Sequence, residues 1–555
     1  KNMLAIYLAY EQACQRAGLI DFGEILLRSH ELWLKRPDIL AQYQQRFKQI
    51  LVDEFQDTNT LQYAWLRLLA GTSGHLFIVG DDDQSIYGWR GARIENIQQF
   101  DTDYQGASTI RLEQNYRSTG NILKAANAVI ANNSERLGKE LWTEDDDGDP
   151  IQIYNAYNER DEASYLVEQI RKWVENGGKR SDAAVLYRSN AQSRVIEEAL
   201  LQAAMPYRVY GGLRFFERAE IKDVLSYLRL VSNRLDDAAF ERIVNTPTRG
   251  IGAATLTQLR QYARERGISM WHSAIEMLDA KAFAARAGNA LTGFITLIDS
   301  LTPEQDTMMG LNELTQLVID ESGLKAHFAK DKTEKGQGRI DNLDELISAT
   351  KQFHKPEEAE DMSDLDAFLA HAALEAGENQ ADRWEDCVQL MTLHSAKGLE
   401  FPIVFMVGME EGLFPGQKSS DDPVRLAEER RLCYVGMTRA RKTLYLMYTE
   451  SRFLYGQEMI QRPSRFLSEL PTECTEEVRA RKNHITPSLN GVRGRDTQTM
   501  NETGIKTGQE VHHQKFGPGI VVDTEGSGKN ARVQVNFKHA GSKWLVLAYA
   551  KLDIL

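Results

Sequence analysis

Residues Val52-Asp53-Glu54-Phe55-Gln56-Asp57-Thr58-Asn59 follow directly on Ile50-Leu51, so an apolar run ends in paired carboxylates. The run 50–52 reads as a buried strand. A strand that ends in Asp-Glu offers two chemical functions side by side. Asp53 can ligate Mg²⁺, directly or through water, and Glu54 can orient and deprotonate an attacking water. A bare Asp-Glu after a strand reads equally well as an exposed acidic turn. What separates the two readings is the order of motifs downstream. Gly80-Asp81-Asp82-Asp83-Gln84-Ser85-Ile86-Tyr87-Gly88-Trp89-Arg90-Gly91-Ala92 comes next, then Gln114-Asn115-Tyr116-Arg117-Ser118-Thr119.

Leu393-His394-Ser395-Ala396-Lys397-Gly398-Leu399-Glu400-Phe401 and Val435-Gly436-Met437-Thr438-Arg439-Ala440-Arg441 complete the series. With these motifs the chain resembles the UvrD/PcrA/Rep family of superfamily 1 DNA helicases over nearly its whole length. The resemblance implies an α/β fold. It comprises two RecA-like parallel-sheet motor domains, the first incomplete, with helical inserts and a small C-terminal Tudor/SH3-like β-barrel. The family opens with a phosphate-binding loop G-x-x-x-x-G-K-[ST], and residues 1–555 contain no such loop. Lys139, Lys179 and Lys529 each follow a glycine, but none has the second glycine or the Ser/Thr that the loop requires. The expectation is therefore a helicase lacking roughly its first 160–170 residues, a size taken from the family pattern. Lys1 is not a Met, and neither a signal peptide nor a targeting segment is evident.

A length of 555 residues, with 42% hydrophobic and 26% charged residues, suits several soluble globular domains. No run approaches the ~18–20 apolar residues of a membrane span. The scattered Cys14, Cys387, Cys433 and Cys474 suggest neither a disulfide framework nor a zinc site, and they suit a reducing cytosol. The expected location is cytoplasmic and nucleoid-associated. A net charge of −14 weighs against a protein that coats duplex DNA. It is compatible with a motor that grips one strand in a channel of aromatic and local cationic groups.

Along the chain, 1–47 reads as the end of a helical insert of the first motor domain, and 48–113 as the C-terminal part of that domain, with strands at 50–52, 75–79 and 109–112. Residues 114–210 begin the second RecA-like domain, with strands at 151–154, 184–187 and 207–210. Residues 211–383 are helix-like and charged and read as an insert. Residues 384–475 return to strands at 388–392, 403–407 and 443–448. Residues 476–506 read as a flexible basic linker. Residues 507–555 carry strands at 520–522, 533–537 and 544–548, with turns at Gly517-Pro518-Gly519 and at 526–530, as in a Tudor-like barrel.

Phosphoryl transfer needs charge compensation around the γ-phosphate and a positioned water. Asp53 and Glu54 cover the metal and the base. Gln84, beyond the strand at 75–79, lies where parallel sheets bind ligands and can sense the phosphate or the water. Arg117 and Arg439 are the arginine-finger candidates, since a guanidinium is always charged and forks around phosphate oxygens. By resemblance, Tyr116 stacks on the adenine and Glu400 accepts from the ribose. For single-stranded DNA, Tyr87, Trp89 and Arg90 lie a few residues from Gln84, and aromatic faces stack on any base. Tying both tasks to one loop couples nucleotide to DNA. His394 is a second coupling candidate. Gly250 and Gly252, ahead of a helix in the insert, read either as a phosphate-holding turn or as a plain helix-to-helix turn.

The implied activity is ATP-dependent 3′-to-5′ DNA translocation and unwinding in DNA repair, with ATP and Mg²⁺ as cofactors. The implied partners are single-stranded DNA and ss/ds junctions, nucleotide-excision and mismatch repair factors, RNA polymerase through the barrel, and a second copy of the chain; no membrane is implied. The competing expectation is a DNA- or protein-binding regulatory fragment that cannot hydrolyse ATP because the phosphate loop is absent. Trp544 and Phe516 fit the core of the barrel or a direct partner contact.

Overall fold

The computed structural model describes residues 2–71, 74–134, 136–210, 212–302, 309–356, 359–377, 385–454, 457–478, 510–513, 517–525, 532–537, 541–546, 550 and 552–554. Residues 1–481 and 482–555 form separate compact units.

Three helices open the larger unit: Asn2–Ala17, Phe22–Lys35 and Pro37–Arg46. Asp21 starts the second by accepting from Glu24 N at 2.8 Å. Pro37 starts the third, where its missing N–H is not needed. Strands β1 (Gln49–Val52) and β2 (His75–Ile78) pair in parallel, Gln49 opposite His75 and Val52 opposite Ile78. The crossover helix Thr60–Ala70 begins in a capping box between Asn59 and Gln62.

Strand β1 is not buried throughout, contrary to the reading of its apolar run. Ile50 packs with Trp33, Leu69 and Ala70, whereas Leu51 is 76% exposed and Phe77 on β2 is exposed too. Successive side chains on a strand point to opposite faces. Among the described residues, the helices pack on the Ile50 face. The strand expected at 109–112 does not form, and Ile110 and Leu112 are exposed. Residues of good strand propensity stay irregular when no neighbouring chain takes their backbone hydrogen bonds.

The rest of the larger unit is built on β3 (Ile151–Ala156), β4 (Ala183–Tyr187), β5 (Tyr207–Val209), β6 (Val388–Thr392), β7 (Phe401–Met406), β8 (Ala440–Thr449), the hairpin β9 (Ser451–Leu454) and β10 (Gln457–Ile460), and β11 (Thr475–Glu477). Seven strands form one sheet in the order β11-β3-β8-β7-β4-β6-β5, and every pairing is parallel. All five residues of β4 are buried, because parallel sheets carry helices on both faces. Helices Glu159–Glu175 and Ser193–Gln202 cover one face through Leu166, Ile170, Ile196 and Leu200. Helices Gly120–Ile130 and Pro423–Met437 cover the other through Ile122, Val129, Leu432 and Val435. Strand β11 corrects the linker reading at its start: Thr475 pairs with Ile151 and Glu477 with Ile153. Residues 479–506 lie outside the described residues.

Between β5 and β6 the chain is helical and builds its own core around Tyr227, Phe240, Phe294 and Leu343. Helix Glu334–Gln352 returns to the sheet domain: Arg194 on Ser193–Gln202 pairs with Glu345 at 2.6 Å. Among the described residues, no helix is long and apolar enough to cross a membrane.

In the smaller unit, β12 (Glu510–His513), β13 (Gly517–Glu525), β14 (Arg532–Phe537), β15 (Gly541–Val546) and β16 (Leu552–Ile554) form an antiparallel sheet in the order β15-β14-β13-β12-β16. Residues 517–519 are the start of β13 rather than a turn. His512 pairs with Pro518, and pairing with β14 begins only at Gly519. A proline is tolerated at that end because one side still lacks a neighbour. The turn expected at 526–530 and Phe516 lie outside the described residues.

Candidate nucleotide and single-strand site

The chain leaves β1 through Glu54, whose φ of 50° is left-handed and uncommon outside glycine. That turn drops Phe55 into the core and starts the short 3₁₀ turn Phe55–Asp57. Asp53 accepts from Glu54 N at 2.9 Å. Gln56 is fully buried. Its side-chain N–H donates to Glu54 Oε2 at 2.5 Å, and its carbonyl oxygen accepts from Asp81 N at 2.9 Å. Gln84, on the 3₁₀ turn Asp82–Gln84 beyond β2, donates to Asp81 Oδ2 at 2.7 Å. Glu54 and Gln84 thus belong to one hydrogen-bonded network.

Lys397, after β6, reaches this network. Its Nζ lies 3.2 Å from Glu54 Oε2 and 2.7 Å from Asp57 Oδ2, and it donates to Gln84 O at 2.9 Å. Among the described residues Asp57 Oδ1 is buried without a hydrogen-bond partner, and burial pushes the Asp57 carboxyl up, against the pull of Lys397.

Arg117 pairs with Glu400, whose carboxyl is held low by that hydrogen bond, with Arg441 further away at 4.0 Å. Tyr116 beside it is 91% exposed. Arg439 is 1% exposed and donates to Val435 O, Leu399 O and Thr438 Oγ1 at 2.9–3.1 Å. Burial, with Arg117 nearby, pulls its pKa down to about 10, so it is still cationic at neutral pH. Among the described residues, Arg439 has no carboxylate ion-pair partner.

The aromatic group gathers around His394. Ring centroids lie 6.4 Å apart for Tyr87–Trp89, 6.4 Å for Tyr87–His394 and 6.3 Å for Trp89–His394. Arg90 lies over Trp89 at 4.5 Å and Tyr87 at 5.1 Å. Trp89 is on a 3₁₀ turn, Gly88–Arg90, and keeps 43% of its surface exposed. Burial, then the Arg188 and Arg90 cations, pushes His394 down to about 3, so its imidazole is neutral at physiological pH. The loop is anchored from the large sheet. Ile86 is fully buried in the core under helix Pro423–Met437, and Glu428 of that helix accepts from Gly88 N at 2.9 Å.

Gly250 and Gly252 lie apart, in the helical segment. Gly250 has φ +88°, and Gly252 caps helix Ala253–Arg266. Asn245 Oδ1 already accepts from the backbone N–H groups of Arg249, Gly250 and Ile251 at 2.7–3.3 Å. The Gly250 N–H is therefore engaged inside the protein.

The matches to known families follow the same division. Residues 1–105 match the UvrD/REP helicase N-terminal domain, 110–451 the UvrD-like helicase C-terminal domain, and 507–552 the PcrA/UvrD tudor domain. The chain belongs to the UvrD-like helicase family. It is 61% identical over 548 residues to DNA helicase II of Escherichia coli (strain K12), covering 99% of this chain and 76% of that protein. DNA helicase II of Haemophilus influenzae is 57% identical over 556 residues, with 100% and 76% covered. The ATP-dependent DNA helicase PcrA of Bacillus subtilis is 42% identical over 567 residues, with 99% and 76% covered. Within this UvrD-like frame, the sequence reading gave no role to Gln56, Lys139, Lys397 or Glu428. Lys397 stood inside a quoted motif, but its partners Gln84, Asp57 and Glu54 are all more than 300 residues away in sequence.

Proposed function

We propose that this chain is the motor of an ATP-driven DNA helicase that moves 3′ to 5′ along a single strand, and that it acts in DNA repair. The relatives carry the names DNA helicase II and ATP-dependent DNA helicase PcrA. The observation that carries the reading is the loop 80–90. One end holds Gln84 in the Glu54 network, and the other presents Trp89 and Arg90 to solvent.

The residues fit Mg²⁺ and ATP. The Asp53 carboxylate is exposed, and among the described residues Asp57 keeps a buried oxygen without a hydrogen-bond partner and Arg439 is a buried cation with no carboxylate in contact. When bound, Mg²⁺ supplies charge neutralisation for the phosphates. Asp53 would hold the ion and Glu54 would take the proton of the attacking water. Gln84 would orient that water or the γ-phosphate, and Arg117 and Arg439 would fork onto phosphate oxygens. Tyr116 would lie on the adenine and Glu400 on the ribose. Lys397 and the Gln56 amide both meet Glu54 Oε2. Lys397 belongs to the seven-stranded sheet domain, so movement of that domain would remove the cation beside the carboxylate.

The test uses full-length protein and duplexes tailed on one strand. The wild type should unwind the 3′-tailed duplex and leave the 5′-tailed one paired. Trp89→Ala should weaken single-strand binding by about 1–3 kcal/mol, the worth of one stacked base, with no change in base preference. Unwinding from the 5′ tail would refute the polarity, and unchanged DNA affinity would refute the stacking role.

We also read residues 507–555 as a docking module for a protein partner such as RNA polymerase, tethered so as to raise local concentration. Repair factors of nucleotide excision and mismatch repair, and a second copy of the chain, are further partners in this reading. Deleting 507–555 should leave unwinding largely intact and impair a pull-down with RNA polymerase. Lost unwinding with the pull-down retained would reverse the assignment.

A further inference from the structure

The three successive carboxylates Asp81, Asp82 and Asp83 look at first like a metal cluster, but one short segment of chain occupies all three. Arg136 forks onto Asp83, with Nε and Nη2 each 2.7 Å from a carboxylate oxygen. Leu137 N donates to Asp82 Oδ2 at 2.7 Å. Lys139 Nζ pairs with Asp81 Oδ1 and lies 3.3 Å from Asp83 Oδ2. The segment is held rigid by Arg136, which also donates to Lys139 O at 3.0 Å. It follows helix Gly120–Ile130 and so travels with the seven-stranded sheet, whereas the aspartates follow β2.

Asp81 is the branch point. One oxygen takes Lys139 and the Asp83 backbone N–H, the latter at 3.0 Å, and the other takes the Gln84 amide at 2.7 Å. Its backbone N–H is held by Gln56, whose own amide donates to Glu54. A carboxylate fixed by a cation at one oxygen presents the other in a fixed direction, and a charge-assisted bond sets that direction firmly. A Lys pulled away on domain movement would leave that oxygen to the neutral Asp83 N–H alone and so loosen Asp81, and with it the aim of the Gln84 amide.

We propose that Lys139 is a positioning residue for ATP hydrolysis: acting through Asp81, it aims the Gln84 amide and ties that aim to the position of the seven-stranded sheet domain. Lys139 does not touch the reacting atoms. The inference rests on the role given above to Gln84.

The test is steady-state, single-strand-stimulated ATP hydrolysis by full-length protein with Lys139→Met, Lys139→Arg, Gln84→Ala and the Lys139→Met/Gln84→Ala pair. Lys139→Met should lower kcat roughly tenfold to a hundredfold, the loss expected when a hydrogen bond to a charged group disappears, and leave KM for ATP within about twofold. Lys139→Arg should restore most of kcat, because it keeps the charge and the reach. In the Gln84→Ala background, Lys139→Met should add less than about twofold, since two residues acting through one path are not additive. Should Lys139→Met not fold, Lys139→Gln takes its place in the same set. A wild-type kcat in the Lys139 variant beside a damaged Gln84→Ala overturns this inference alone. Fully multiplicative losses, or a change in KM only, overturn it as well. A wild-type kcat in Gln84→Ala overturns both this inference and the role of Gln84 on which it rests.

Discussion

Arg439→Ala in the full-length protein is expected to cut kcat for DNA-stimulated ATP hydrolysis by roughly 10³–10⁵, the range an arginine finger supplies. The expectation comes from its setting. A guanidinium that is 1% exposed and, among the described residues, bonded to backbone carbonyls and one hydroxyl is a desolvated charge with no carboxylate in contact, Asp81 and Glu400 acting on it only from a distance. Such a charge is costly to keep unless something negative joins it. Arg117 next to it raises the cost further, as the depressed Arg439 pKa reflects. An incoming phosphate would relieve both. Since Arg439 also ties Leu399 to helix Pro423–Met437, part of the loss in Arg439→Ala could be packing. Arg439→Lys separates the two, because it keeps the cation and loses the fork; thermal melting checks the fold of each variant. Hydrolysis within tenfold of wild type in a folded Arg439→Ala would contradict the finger role.

Glu54→Gln should lower kcat by roughly 10²–10⁴, the usual share of a positioned base, with nucleotide affinity kept. The amide has the carboxylate's shape, and its oxygen can still accept from the Gln56 side chain that now meets Glu54 Oε2 at 2.5 Å. What it loses is the basic oxygen and the ion pair with Lys397. Titration with a fluorescent nucleotide reads affinity, and phosphate release reads turnover. Near-normal turnover would show that another group takes the proton.

Much of the architecture is legible in the residues. The run 184–187 reads as a strand, and Asp21 marks a helix start by chemistry that needs no tertiary partner. The exceptions share a cause. Residues 109–112 have strand composition, but among the described residues no strand pairs with their backbone. Residues 476–477 are polar enough to read as linker, yet β3 offers them an open edge. Whether backbone groups find a partner depends on distant residues, and local composition cannot report it.

The site divides the same way. Asp53, Glu54, Gln84 and Trp89 stand out because their residue types carry the chemistry and their motifs recur in order. Lys139 and Lys397 do not, since a lysine's role is set by which carboxylates it meets. Gln56 is a polar side chain within a motif, and only the fold reveals that it joins Glu54 to Asp81. Gly250 shows the converse. Its glycine pattern suggests a phosphate turn, but the N–H is already engaged by Asn245, a residue of no conspicuous pattern.

The central claim is that one loop, 80–90, serves the nucleotide at Gln84 and the strand at Trp89. It is tested most directly by steady-state ATP hydrolysis of the full-length wild type and Trp89→Ala, titrated with poly(dT). The account predicts strong stimulation of the wild type, and in Trp89→Ala an unchanged DNA-free rate with most of the stimulation lost even at saturating DNA. Equal stimulation of the two proteins at saturation would contradict it.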